Sequence, residues 1–350
     1  MNVLAFKTVT QRLTARTSLP RFLIGLRKPQ FFGLIPLGGF LILLLGFSNP
    51  LQARSCFGAG TAEVFLPGLG YALNDQNEKA AVFGASRWYF FKQSIDTYDN
   101  PDHAETYDQM SRTVKIKDSE QNKQEYYFYY NQPDWQDVFN GGMYGNLAMI
   151  SIADMYRGDC GDNPETAELA LAPLRFDHFL GNWMFYPPIL YWILGHDSMQ
   201  KDAYIEYNLG TGLTSSQVLN ESMVMQYTTG IGEEMLFRGT IQQSLFNWFA
   251  NDGMMSPNLA RHSSIFAASA IFGAAHDGKG GTSNPAGAFL FGLYEGYTYH
   301  PNLGEQDLMT SIAIHSWNNM LVTYWMMKYA KINESDKKVE VPLFQVAFNF

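Results

Sequence analysis

The sequence predicts an all-α protein, a polytopic bundle of membrane helices with a partly polar interior. Charged residues make up only 16% of the 350 residues, where soluble domains average about 25%. Hydrophobic residues make up 46%, and apolar stretches of helical length recur along the second half of the chain. A few ionisable residues interrupt these stretches. The mean hydropathy of −0.17 averages them with very polar segments.

Net charge and cysteine content exclude several classes of protein. The formal net charge is −9 at pH 7, which argues against a nucleic-acid partner, because such a partner calls for a basic face. The 26 Phe, 20 Tyr and 7 Trp argue against disorder. Two cysteines, Cys56 and Cys160, exclude a disulfide-dense scaffold and a four-cysteine zinc site. They could pair with each other if the chain after residue 54 lies outside the cytoplasm, and two free thiols are the alternative.

Residues 1–53 are a predicted targeting segment. Residues 1–28 carry basic side chains and no acidic one, the apolar run 31–47 follows, and a small residue, Ala53, comes shortly after. This order is typical of a secretory signal peptide cleaved near Ala53. An uncleaved anchor is the first alternative, although the run falls slightly short of the ~20 residues that span a bilayer. An organelle transit peptide is the second alternative.

The remaining chain divides into two predicted regions. Residues 54–140 are amphipathic and polar and have no assigned role. Within them, apolar runs over 57–91 are broken at Leu66–Gly70, which predicts a re-entrant or interfacial pair of helices. Residues 92–138 are rich in polar and aromatic side chains, and we expect them to face water.

Residues 141–335 are the predicted membrane bundle. Apolar or helical stretches recur at residues 141–156, 176–194, 216–249, 263–276, 285–299 and 308–328. The second contains Pro187-Pro188, which is expected to kink or interrupt a helix. Gly292 and Gly296 form a GxxxG pair that predicts close helix packing. Most stretches are shorter or more polar than an ideal span, so we expect the inside of the bundle to be partly wet.

Three motifs place ionisable side chains within these helical stretches. The first is GEEMLFRG, residues 232–239. Glu234 and Arg238 are four residues apart and share a helical face, with the glutamate N-terminal, which is the favourable order for an ion pair. Glu233 is turned about 100° away. We therefore expect Glu233 to face another group and to be suited to act as a general base.

The second and third motifs supply imidazoles and an amide. FGAAH ends at His276, among small residues that let helices approach closely. HSWNN places His315 and Asn319 four residues apart on one helical face. Both side chains can donate hydrogen bonds to a developing oxyanion.

Each motif alone has a simpler interpretation. A glutamate pair four residues before an arginine is most often a solvated helix face. A lone histidine on an apolar helix is usually a satisfied core residue, and the asparagine of HxxxN is often a cap or an inter-helix hydrogen bond. Their occurrence together on apolar helices favours function, because burying ionisable groups in a membrane is costly.

The order EExxxR, FxxxH, HxxxN resembles the CPBP (CAAX protease and bacteriocin-processing) family of intramembrane endopeptidases. The similarity covers about residues 223–329 and includes the glycine-rich helix 289–297 between the two histidine motifs. Residues 230–239, GIGEEMLFRG, are similar to the first family motif throughout. The chain departs from the family pattern in the long polar stretch 251–262 and in DGKGG, residues 277–281. These departures affect loop geometry and substrate access.

The resemblance implies peptide-bond hydrolysis by a glutamate-activated water, without a cofactor. It assigns Glu233 as the base and His276 as the group that orients the water. His315 and Asn319 would stabilise the oxyanion, and Glu234 with Arg238 would fix the helix. The implied partners are a membrane polypeptide substrate and the lipid bilayer, with no nucleic acid. We expect the chain to be an integral membrane protein and to lie in the bacterial cytoplasmic (inner) membrane.

Three other interpretations are open at this point. A zinc-dependent membrane metalloprotease could use Glu233, His276 and His315 as ligands with water in the open position, although the chain has no HExxH motif. A non-catalytic immunity or scaffold protein could share the fold, but no catalytic position is replaced. A transporter with a proton relay would need more buried charge, and Glu295 is the one further candidate, more simply interpreted as a partner for a tyrosine or a lipid headgroup.

Overall fold

The computed structural model describes residues 52–98, 100, 111–117, 122–157, 161, 165–251, 254–276, 284–334 and 337–338. The predicted targeting segment therefore lies outside the described residues, apart from residues 52 and 53. The loop 277–281, where the chain departs from the family pattern, also lies outside them. Cys56 is disulfide-bonded, so the free-thiol alternative is wrong for this residue, and Cys160 lies outside the described residues.

Three helices begin the described chain: α1 (Gln52–Phe65), α2 (Leu69–Ala72) and α3 (Asn77–Tyr98). Between α1 and α2, Gly68 has a φ of 84°, a left-handed conformation that glycine adopts without steric cost. The predicted interruption of this stretch by a turn is confirmed. The helical pair is present, and its position relative to a bilayer stays a prediction.

Helix α4 (Gln132–Tyr156) follows a pair of strands. It begins with a capping box, in which the Asn131 side chain accepts from the backbone of Asp134 and the Asp134 side chain accepts from the backbone of Asn131. The predicted boundary between residues 140 and 141 lies inside this helix. One continuous helix crosses this position.

A five-stranded sheet joins the two halves of the chain. Its strands, in spatial as well as chain order, are β1 (Ser111–Lys117), β2 (Asn122–Tyr130), β3 (Ala203–Leu209), β4 (Lys331–Glu334) and β5 (Lys337–Lys338). The two outer pairs are antiparallel and the two inner pairs are parallel. Phe128 of β2 pairs in register with Tyr207 of β3, and their rings stack at 4.8 Å. The predicted water-facing segment 92–138 thus supplies two strands, one of which has a buried aromatic face.

Short helices connect α4 to the central strand β3. They are α5 (Thr166–Ala170) and α6 (Phe176–Phe179), followed by the longer α7 (Tyr186–Asp202), with 3₁₀ turns at Ala172–Leu174 and Trp183–Phe185. Pro187 and Pro188 lie in the first turn of α7. The stretch 176–194 is interrupted, as predicted, because α7 begins beside the prolines. No kink results, because the N–H groups that proline lacks would have no helical partner in the first turn.

The C-terminal bundle contains α8 (Ser215–Leu236), a π-helical segment (Phe237–Gln242), α9 (Gln243–Asn251), α10 (Pro257–Ala275), α11 (Pro285–Tyr299) and α12 (Leu308–Tyr329). The bounds predicted at 285–299 are confirmed, and those at 308–328 differ by one residue. The stretch predicted as one helix at 216–249 is divided by the π-helical segment. Helix α10 begins at Pro257, six residues before the predicted start, with proline in its first turn.

Close approach of helices depends on glycine at particular positions. Helix α8 packs against α4 and α12, and α10 packs against α11. A Cβ on Gly230 of α8 would lie 2.5 Å from the backbone nitrogen of Ser316 in α12. A Cβ on Gly296 would lie 2.7 Å from Ile265 of α10, and one on Gly292 would lie 3.2 Å from Ser269. The predicted packing role of the GxxxG pair is confirmed.

The prediction of a mainly helical chain is confirmed, and a five-stranded sheet is present beside the helices. Strands β3 and β4 lie far apart in the sequence. They pair because the helices of the C-terminal bundle, which separate them in the chain, bring its two ends together. No described helix has both the length and the apolar character that a membrane crossing requires.

Candidate functional site

The histidine of the third motif lies between the two glutamates of the first. His315 Nδ1 is 2.7 Å from Glu234 Oε1, and His315 Nε2 is 3.3 Å from Glu233 Oε2. His315 and Glu234 are buried, whereas 16% of the Glu233 side chain is exposed. One imidazole thus connects a fully buried carboxylate to a carboxylate that has access to solvent.

Helix geometry explains why adjacent glutamates reach opposite sides of one ring. Both lie in the last turn of α8, and consecutive helical residues project about 100° apart. Helix α12 presents His315 to them across the close approach at Gly230. The chain then enters the π-helical segment, which contains Arg238. Such single-turn widenings are frequent at functional sites.

Glu234 is held from two directions. Arg238 Nε is 3.2 Å from Glu234 Oε2, and both side chains have 0% exposure. The predicted ion pair is therefore present. The guanidinium carbon of Arg238 also lies 5.2 Å from the centre of the Phe272 ring, a cation–π distance. A fully buried carboxylate needs such partners, because removing a charge from water is costly unless it is paired and hydrogen-bonded.

Two residues outside the predicted set complete this buried cluster. Ser311 Oγ lies 2.5 Å from Glu234 Oε2 and 2.8 Å from Glu295 Oε2. Glu295 has 0% exposure, so the interpretation of it as a partner for a lipid headgroup is wrong. Ser311 lies one helical turn before His315, a spacing that could have drawn attention to it. For Glu295, the available signal was an acidic residue in an otherwise apolar helical stretch.

His276 lies near His315 with one aromatic ring between them. It is the C-terminal cap of α10, is half-buried, and its Nδ1 lies 2.8 Å from the carbonyl oxygen of Phe272. The Phe272 ring centre is 4.4 Å from the His276 ring and 5.9 Å from the His315 ring. Because a carbonyl oxygen only accepts, Nδ1 is the donor in this contact, and Nε2 of a neutral ring is then an acceptor.

Asn319 lies one helical turn beyond His315 on α12 and is half-buried. Its Oδ1 accepts a hydrogen bond from Asn318 Nδ2 at 3.4 Å, and Asn318 Oδ1 accepts from Trp192 Nε1 at 2.6 Å. The oxygen end of the Asn319 amide is thereby oriented by α7. Its shared helical face with His315 follows from the four-residue spacing.

The N-terminal cap of α12 supports the helix that carries His315. Asp307 Oδ1 accepts from the backbone nitrogen of Thr310 at 2.9 Å and lies 3.0 Å from His178 Nε2. Burial by itself would raise the pKa of Asp307, but the hydrogen bonds from His178 and Thr310 outweigh burial and lower this pKa below its usual value.

The residues of the zinc alternative do not form a ligand set. Within the described part of the chain, no three His, Cys, Asp or Glu side chains are arranged to hold a metal ion. Glu233 and His315 contact each other directly, and the Phe272 ring contacts both histidine rings.

Comparison with known protein families gives a match to the C-terminal bundle. Residues 216–321 match the model of the family described as type II CAAX prenyl endopeptidase Rce1-like. The match covers all three motifs and confirms, for this segment, the resemblance to CAAX-type endopeptidases. No curated protein and no solved structure matches the chain.

Proposed function

We propose that this protein is a membrane-associated endopeptidase in which Glu233 activates the attacking water. The observation that carries the proposal is the contact of the partly exposed Glu233 with His315, which is itself anchored by the buried Glu234. These residues lie within the segment that matches an endopeptidase family. The family is membranous, and this chain would meet its substrate, a membrane polypeptide, in or at the bilayer.

The reaction follows from the roles of the four candidate residues. Glu233 takes a proton from water, and the resulting hydroxide attacks the carbonyl carbon of the scissile peptide bond. His276 accepts a hydrogen bond from the water at Nε2 and orients it. Glu233 then returns the proton to the leaving amine, as a general acid.

Once Glu233 has accepted the proton from water, His315 shifts its Nε2–H hydrogen bond from that carboxylate to the negative oxygen of the tetrahedral intermediate, which Asn319 also stabilises. A donor that is already fixed in position costs no reorganisation during the reaction, and its loss typically reduces kcat by about 10²–10³-fold. His315 is fixed by Glu234, and Glu234 is fixed in turn by Arg238. Asn319 supplies its amide nitrogen, because its oxygen is bound to Asn318.

The proposal is tested by Glu233→Gln, which keeps the side-chain shape and removes the base. We expect cleavage to fall by about 10²–10⁴-fold, the usual contribution of a general base, with expression and melting temperature unchanged. Mass spectrometry of membrane peptides from cells with wild-type protein and with the variant measures the loss and identifies substrates. Glu305→Gln is the matched control, because Glu305 is an exposed carboxylate in the loop before α12.

Three outcomes separate the alternatives. Undiminished proteolysis by Glu233→Gln removes Glu233 from the mechanism. A wild-type protein that cleaves nothing, with folded protein in the membrane fraction, supports the non-catalytic interpretation. Loss of cleavage after exhaustive chelation, restored by zinc, supports the metalloprotease interpretation over the metal-free reaction.

A further inference from the structure

A serine hydroxyl lies between two fully buried carboxylates beneath the candidate site. Ser311 Oγ is within hydrogen-bonding distance of Glu234 Oε2, at 2.5 Å, and of Glu295 Oε2, at 2.8 Å. All three residues have 0% exposure. The mechanism proposed above uses Glu234 and gives no role to Glu295 or Ser311.

The number of protons in this cluster is limited. A hydroxyl group carries one hydrogen and can donate it to one acceptor at a time. An ionised carboxylate is an acceptor only. Two ionised carboxylates therefore cannot both be bonded to Ser311, and one of the two must be a carboxylic acid that donates its own proton to Ser311 Oγ.

The distribution of charge identifies which carboxyl group holds the proton. Arg238 and His315 both contact Glu234. Glu295 makes no ion pair among the described residues, and its Oε1 has no hydrogen-bond partner there. An ionised, unpaired carboxylate in a buried position costs far more than a neutral one.

Counting the charged groups gives the same result. Arg238 and His315 are the groups that can bring positive charge to Glu234. Even with His315 protonated, these two cations balance no more than Glu233 and Glu234. Glu295 is a third carboxyl group with no cation left to neutralise it.

We propose that Glu295 is a neutral carboxylic acid that positions the site: it donates to Ser311, Ser311 donates to Glu234, and Glu234 thereby stays ionised and holds His315. Glu295 is a positioning residue and touches no reacting atom. Its role in catalysis rests on the endopeptidase function proposed above, whereas its protonation does not. Tyr294, next to it on α11, donates its hydroxyl to the carbonyl of Met184 and is directed elsewhere.

The protonation is tested without any assay of proteolysis. Infrared spectra of purified protein at neutral pH should show the carbonyl stretch of a protonated carboxylic acid. This band should be lost in Glu295→Gln, retained in the control Glu305→Gln and shifted in Ser311→Ala, because the hydrogen bond to the acid is then removed. A spectrum in which Glu295→Gln removes no such band overturns the proposal.

The positioning role is tested by paired substitutions at Glu295. In Glu295→Gln the amide N–H replaces the acid O–H as donor to Ser311, so cleavage should stay within about threefold of wild type. Glu295→Leu has no donor and should reduce cleavage by about 10–100-fold, a loss comparable with that for removing the residue that orients a metal-ligating histidine. Ser311→Ala should reduce cleavage to a similar extent.

The pH profile distinguishes positioning from a merely structural role. If Glu295 is neutral in the wild-type protein, the acid limb of the cleavage rate does not depend on it and stays in place in Glu295→Gln. A shift of that limb, or a loss in Glu295→Gln equal to that in Glu295→Leu, shows that the charge of Glu295 matters and overturns the proposal.

Failure of the endopeptidase function gives a different pattern. Cleavage that is undiminished in Glu233→Gln, together with an acid band that depends on Glu295, contradicts the function and supports the protonation. Normal wild-type cleavage without that band contradicts the protonation and leaves the endopeptidase function intact.

Discussion

Two fully buried glutamate–arginine pairs lie in different parts of this protein. In the N-terminal helices, Arg87 Nη1 is 2.8 Å from Glu63 Oε1. In the bundle, Arg238 Nε is 3.2 Å from Glu234 Oε2. All four side chains have at most 1% exposure. The two pairs therefore start from the same chemistry and the same loss of solvation.

The first pair is closed on itself. Both oxygens of Glu63 accept from backbone N–H groups, at Gly68 and, for Oε2, at Gly70. Arg87 also donates to the Glu63 carbonyl and to Ser151 Oγ of α4. These bonds fix the turn between α1 and α2 against α3 and α4. Such a network holds the structure and offers no group to a reactant.

The second pair is open at one end. The interactions of Glu234 lead through His315 to Glu233, which is partly exposed. Arg238 has terminal nitrogens without hydrogen-bond partners in the described ranges. A buried ion pair is thus not in itself a sign of function. What distinguishes the site is that its network leads to an ionisable group within reach of a water molecule.

The largest expected effect on stability comes from breaking the closed pair. Arg87→Met leaves Glu63 as an uncompensated buried charge, and we expect the free energy of unfolding to fall by about 3–5 kcal/mol. Chemical denaturation of the wild-type protein and the variant under identical conditions measures this difference in unfolding free energy. Cleavage per folded molecule should change little, because the hydrogen bonds of Glu63 and Arg87 go to α1, the α1–α2 turn, α2 and α4 and to none of the candidate site residues.

Lys92→Met is the matched control for this substitution. Lys92 lies on the same helix and pairs with Asp96, but both side chains are more than half exposed. Its removal should cost less than about 1 kcal/mol. Equal losses for the two variants would show that burial does not distinguish these pairs.

An intermediate effect is expected where α8 and α12 meet. Gly230→Ala would place a Cβ 2.3 Å from Ser316 Oγ, so the helices must separate. We expect a loss of about 1–3 kcal/mol in unfolding free energy, as for other overpacked sites. Cleavage should fall as well, since His315 moves away from Glu233. Both are measured on the same preparation.

Gly145→Ala is the control for Gly230→Ala. Gly145 is in the interior of α4, and an added Cβ there would meet nothing within 4 Å. Alanine in place of a helical glycine should stabilise by about 0.5–1 kcal/mol. If Gly230→Ala is equally harmless, the close approach of the two helices is not needed to place His315.

The smallest effect is expected at the cap of α12. Asp307→Ala removes the acceptor for the backbone of Thr310 and should cost about 1 kcal/mol of unfolding free energy. Asp307→Asn keeps an acceptor and removes only the charge. Thermal unfolding of the three proteins across pH separates the two contributions.

The pH dependence of this cap has a definite sign. The pKa of Asp307 is lower in the folded protein than its unfolded value, which is about 3.9. The charge therefore stabilises the fold above that pH, and its contribution is lost as the pH falls through the folded-state pKa. The stability difference between wild type and Asp307→Asn should shrink below about pH 4. A difference that is constant under acid conditions contradicts the assignment.

Much of the bundle could be predicted from local sequence patterns. Helix α11 has the predicted bounds, and the GxxxG pair packs as expected, because apolar periodicity and small residues act over a few turns. The sheet could not be predicted. Strand β3 pairs with β4, more than 120 residues later, and no local pattern records such a partner.

The predicted site residues divide in the same way. The Glu234–Arg238 pair follows from helical spacing, and it is present. The contact of His315 with both glutamates joins residues about 80 positions apart, as does the link from Ser311 to Glu234. The complete burial of Glu295 could not be predicted from the sequence, because an acidic residue on an apolar helix can face either lipid headgroups or the protein interior.

The sequence by itself determined which side chains are ionisable, which helix each occupies and which of them share a face. Those properties depend on a repeat of 3.6 residues and on the chemistry of single side chains. Only the tertiary structure decided which carboxylate is closed off and which keeps access to water, because burial and charge pairing arise where separate helices meet. This difference in burial and pairing distinguishes Glu63, whose oxygens are all bonded within the protein, from Glu233, the partly exposed candidate base.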